Sequence, residues 1–102
     1  MRYAAFATLL LLLYAADTNS TVERQLWHHR NLGKAFYENP TTQTQAVDEF
    51  KKALDLAPSS TRERVNYGLA LLRAGKVREG VAELEKVQKA DPNGALALAP
   101  GA

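Results

Sequence analysis

Cysteine is absent from this 102-residue chain, tryptophan and methionine occur once each, and there are only four prolines and six glycines. Without cysteine there is no disulfide framework, no thiolate metal site, no thiol nucleophile and no lipid attachment through sulfur. A strong surplus of one charge is missing too. The 13 basic and 11 acidic residues leave a net charge of +2, and cations alternate with Asp and Glu across 48–91. That interspersion argues against a nucleic-acid-binding stripe. Strictly alternating apolar and polar residues are not found in 17–94, so no strand is expected. There is no glycine-rich phosphate loop, no Gly-x-Ser-x-Gly elbow and no recognisable triad, so no enzyme activity and no cofactor are expected. The adjacent pair His28-His29 points about 100° apart on a helix and lacks a spaced third ligand, so no metal site is expected either.

What is present is an ordinary globular composition, 46% hydrophobic and 24% charged, in a length that allows one small domain. The N-terminus is a separate unit. "MRYAAFATLLLLLYAADTNS" starts on Arg2, stays uncharged and mostly apolar over 3–16, and turns polar at Asp17. This is the layout of a secretory signal. A helix over 3–16 would span about 21 Å, short of the roughly 30 Å hydrocarbon core. Residues 1–20 are therefore read as a signal peptide, with a retained membrane anchor and a buried leader as alternatives. The expected location is exported, periplasmic or secreted, or else membrane-anchored, with residues 3–16 in contact with the membrane and the rest of the chain outside the cytoplasm.

Residues 21–94 read as helix. Ser20-x-x-Glu23 has the form of a capping box and predicts a helix from Thr21, with Val22, Leu26, Leu32, Ala35 and Phe36 near a 3.6-residue period and Asn39-Pro40 as the stop. A second helix carries Ala46, Val47, Phe50, Ala53, Leu54 and Ala57 on one stripe and ends at Pro58. Ser60-x-x-Glu63 then caps a third helix through Tyr67, Gly68, Leu71 and Leu72, broken at Gly75. A fourth helix should bury Val77, Val81, Leu84 and Val87.

The pattern is written twice. Phe50 and Leu84 each stand eight residues before a proline, Ala46 and Gly80 twelve before, and Gly33 and Gly68 precede Pro58 and Pro92 by 25 and 24. Leu32-Gly33, Phe36, Ala46, Phe50, Ala53 and Pro58, followed by Tyr67-Gly68, Leu71, Gly80, Leu84, Val87 and Pro92, resemble the tetratricopeptide repeat, a helical hairpin of roughly 34 residues. His29 and Arg64 stand where that family usually has Trp. The resemblance implies an all-α fold of antiparallel helix-turn-helix repeats, about 26–60 and 61–94, stacked as a short right-handed α-solenoid behind an apolar N-terminal helix.

In such a stack the first helix of each hairpin lines a concave groove. Projected on helices, that face carries Trp27, Arg30, Asn31, Lys34, Tyr37 and Glu38 in the first unit, and Arg62, Val65, Asn66, Leu69, Leu72 and Arg73 in the second. Asn amides and Arg forks suit a peptide backbone and carboxylates, so the expected partner is a protein or peptide, not nucleic acid. The carboxylate clamp of some family members is matched in part, by Arg30, Lys34 and Asn66, with Lys34 where Asn is expected. Residues 95–102 read as the start of an incomplete third repeat or a tail. Because repeat arrays usually need about three units, the expectations there are a fragment of a longer exported bacterial repeat protein, self-association through the open end, or capping by the leader. In the fragment reading the chain is the docking or regulatory N-terminal part of a longer multidomain protein or enzyme.

Overall fold

Proline and glycine set the ends of three of the four helices. A computed structural model describes residues 2–94, with side chains from Ser20 onward. Among the described residues it is all-α and has no strand. The order is α1 (Arg2–Glu38), a 3₁₀ turn (Pro40–Thr42), α2 (Gln43–Leu56), α3 (Thr61–Arg73) and α4 (Val77–Ala90). No helix among the described residues is long and apolar enough to cross a membrane. The start-of-repeat or tail reading of 95–102 falls outside the described residues. The signal-or-anchor reading of 1–20 falls almost wholly where only the helical backbone is described.

One expected boundary is corrected. The helix predicted to begin near Thr21 begins at Arg2, and Ser20 lies within α1. Between Ala16 and Thr21 there is neither Gly nor Pro, so nothing interrupts the backbone ladder, and a serine inside a helix has no orphan amide to cap. The other boundaries fall as expected. Asn39-Pro40 ends α1, because Pro40 lacks the N–H that the next turn would need. The Asn39 side chain instead accepts from the Thr41 amide at 3.0 Å and the Thr41 hydroxyl at 2.8 Å, which shapes the turn into α2. Ser60 caps α3 by accepting from the Glu63 amide at 3.3 Å. At the other end Gly75 adopts φ +84°, with Gly75 N–H donating to the Leu72 carbonyl and Lys76 N–H to the Leu71 carbonyl. That is the Schellman geometry, and a side chain at Gly75 would strain it.

The helices pair antiparallel, the end of α1 on α2 and α3 on α4, with α3 also packed against α2. Close approach depends on small residues. A Cβ placed on Gly33 would come within 2.6 Å of the Phe50 ring, and one on Gly80 within 2.9 Å of the Gly68 carbonyl oxygen. The core is Ala46, Val47 and Phe50 of α2 with Ala70 and Leu71 of α3, flanked by Phe36, Tyr37, Tyr67 and Ala74. Each large side chain buried here contributes about 1.5–3 kcal/mol. The expected stripe on α2 is buried, apart from a half-buried Ala57. On α4 the expectation fails in part. Val87 is buried and Leu84 half-buried, but Val77 is 58% and Val81 42% exposed. Their side of α4 meets no further helix among the described residues. Ala35, expected on the α1 stripe, is exposed as well.

Candidate functional site

Two contacts place α1 and α3 side by side and parallel. Arg30 meets Glu63 near the start of α3, and Arg73 near its end lies with Cζ 4.6 Å from the centroid of the Tyr37 ring. Their outer faces form one surface. Along α1 the helical repeat aligns Trp27, Asn31, Lys34 and Glu38; along α3 it aligns Arg62, Asn66, Leu69 and Arg73. Trp27, Asn31, Lys34, Glu38, Arg62, Leu69 and Arg73 are exposed, while Tyr37, Val65, Asn66 and Leu72 are half-buried. Tyr37, Asn66 and Leu69 meet over Phe50 around an open depression of about 100 Å³. Leu72 turns the other way, against Gly80.

Arg30 requires a correction. Helical projection puts it among the groove cations, but it is only 7% exposed and its guanidinium is committed to Glu63, which is fully buried. Arg30 Nε donates to Glu63 Oε1 at 2.7 Å, and Nη2 meets the same oxygen. Trp27 covers the pair, its ring centroid 4.7 Å from Arg30 Cζ. With Arg30 so engaged, a carboxylate clamp loses its basic residue in the first hairpin. Glu63 also departs from its expected role, since its carboxylate turns to Arg30 while the serine cap stands without it. A signal was available in the sequence. Glu63 falls on the same helical stripe as Tyr67, Ala70 and Ala74, and a carboxylate on a buried stripe needs a cation.

A second network has no counterpart in the expectations drawn from the sequence. His29 Nδ1 of α1 lies 2.5 Å from Glu49 Oε2 of α2, and Lys52 donates to Glu49 Oε1 at 3.3 Å. In the second hairpin Arg64 Nη1 donates to Glu83 Oε2 at 2.6 Å, and Lys86 donates to Glu83 Oε1 at 3.0 Å. The two triads occupy equivalent places in the two hairpins. Burial alone would raise the pKa of the Glu49 carboxyl, but hydrogen bonds and charge from His29 and Lys52 hold it below the ordinary 4.5. Glu83 is likewise penalised by burial and brought below 4.5 by Lys86 and Arg64. His28 is exposed, with its ring edge-on to that of His29.

A larger depression of about 190 Å³ lies between the α2–α3 turn and the end of α4, bordered by Ser59, Ser60, Arg64 and Lys86. Its two cations are already engaged by Glu83, whereas no ion pair among the described residues engages Lys34, Arg62 or Arg73 on the α1–α3 face. No protein-family model, no curated protein and no solved structure matches the chain.

Proposed function

We propose that this chain is a protein-interaction module, built as two stacked helical hairpins of the tetratricopeptide kind, that holds a peptide or protein segment along the α1–α3 face. The observation that carries the reading is that face itself: two amides, three cations and two large exposed apolar groups, beside a depression floored by Phe50. Side chains that both donate and accept suit an extended backbone, and an apolar recess suits an anchoring side chain. The repeat reading is supported by the duplicated triads, because His29-Glu49-Lys52 and Arg64-Glu83-Lys86 stand 34 to 35 residues apart in the same register. Stacked hairpins present their first helices on one side, which is where these recognition groups gather.

The test is selection from a random-peptide phage library against the full chain. Recovered peptides are expected to bind at least about tenfold more weakly to the Asn31→Ala, Asn66→Ala, Leu69→Ala triple variant. Substitution of Arg78 and Glu85 by Ala on α4 is expected to leave binding unchanged. Peptides that bind the triple variant as well as the parent, with unchanged circular dichroism, would remove the groove from this face.

A further inference from the structure

The charge on the α1–α3 face narrows its partner. Of the cations that border it, Arg30 is neutralised by Glu63, and Arg64, behind it, by Glu83. Among the described residues no ion pair engages Lys34, Arg62 or Arg73. Against these three stand two exposed acids, Glu38 and, one turn before Trp27 on the same stripe, Glu23. Cations therefore outnumber acids on the face that also holds Asn31, Asn66 and the apolar recess.

We infer that the α1–α3 face takes an extended acidic peptide segment carrying one large apolar side chain. This rests on the interaction reading above. The carboxylates pair with Lys34, Arg62 and Arg73, of which Arg62 and Arg73 offer two-toothed hydrogen bonding. The apolar side chain enters the recess between Tyr37 and Leu69. Asn31 and Asn66 serve the peptide backbone. A nucleic acid fits less well, because three separated cations beside two acids and an apolar recess do not make the dense basic track that a polyphosphate strand requires. Charge of this kind also orients and speeds the encounter with an acidic partner and weakens with salt.

The probe is fluorescein-labelled Gly-Asp-Glu-Leu-Asp-Glu-Gly, read by fluorescence anisotropy on the full chain. Controls are Gly-Lys-Arg-Leu-Lys-Arg-Gly, the acidic peptide with Ala at its centre, and a short labelled oligothymidylate. The acidic leucine peptide is expected to bind at least about tenfold more tightly than the basic one and several-fold more tightly than its alanine version. The Lys34→Glu, Arg62→Glu double variant is expected to lose about tenfold or more, while its helical signal and melting stay those of the parent. Failure of the acidic peptide to bind, equal binding of the basic peptide, unchanged affinity in the double variant, or tighter binding of the oligothymidylate would each overturn the inference. The phage selection keeps the two proposals apart. Groove-dependent peptides without an acidic bias overturn the partner chemistry alone, and a complete lack of groove-dependent peptides overturns the module as well.

Discussion

The two hairpins carry the same pattern of residues but do not bury it equally. In the first, α2 lies between α1 and α3, and Val47 and Phe50 are only 6% and 4% exposed. In the second, α4 packs on α3 alone among the described residues. Its Val81, equivalent to Val47, stands in solvent, and Leu84, equivalent to Phe50, is half-covered. The ion-pair braces show the opposite behaviour. His29-Glu49-Lys52 and Arg64-Glu83-Lys86 both form, since each lies within its own hairpin and needs no neighbour. Contacts inside a hairpin therefore follow the residue pattern written twice, whereas burial depends on whether a further helix packs alongside.

The largest effect that tests this contrast is truncation at the equivalent core positions. Phe50→Ala is expected to destabilise the fold by about 3–5 kcal/mol, and Leu84→Ala by less than half as much, because a half-covered side chain leaves a smaller cavity. Urea denaturation followed by circular dichroism measures both. Equal losses would mean that α4 is as well buried as α2 in solution. Next in size is the ion pair that joins the hairpins. Glu63→Gln leaves Arg30 buried without its counter-charge and is expected to cost about 3 kcal/mol, much of it recovered in the Arg30→Met, Glu63→Leu double variant. A single variant as stable as the parent would show that the pair does not lock α1 to α3.

The smallest effect is on pH dependence. The pKa values of Glu49 and Glu83 are lowered in the folded chain, so each contributes stability that is present above the unfolded value of about 4.5 and is lost as pH falls through the lower folded value. Stability should decline below about pH 4.5, and the Glu49→Gln, Glu83→Gln variant should show a shallower decline over that range. Because the triads are equivalent, the two single variants should flatten the curve to a similar degree. A marked difference between them would break the equivalence of the braces.

The helix ends were legible wherever one residue dictates the backbone. Pro40 and Pro58 stop helices, Gly75 supplies the positive φ and Ser60 supplies the cap. Ser20 misled because a capping box acts only where the helix has in fact begun, and the uninterrupted backbone from Arg2 overrides it. The candidate face was legible in outline, since helical spacing aligns Trp27, Asn31 and Lys34 on α1 and Arg62, Asn66, Leu69 and Arg73 on α3. Arg30 lies only about 100° from Asn31 on the same helix, and that small rotation is enough to turn it from the open face toward α3. Nothing within α1 marks the difference, because the carboxylate that claims Arg30 lies thirty-three residues away.

By itself, then, the sequence determined four helical segments within 21–94, the breaks between them, the small residues at Gly33, Gly68 and Gly80 that let helices touch, and the duplication of the whole pattern. Those are properties of neighbouring residues and of a fixed period. Only the tertiary structure decided that Glu63 holds Arg30, that Val77 and Val81 remain exposed, and that Lys34, Arg62 and Arg73 share one face with an apolar recess. A helical period states which residues look the same way, while what they meet is decided by the position and charge of the helix that packs beside them.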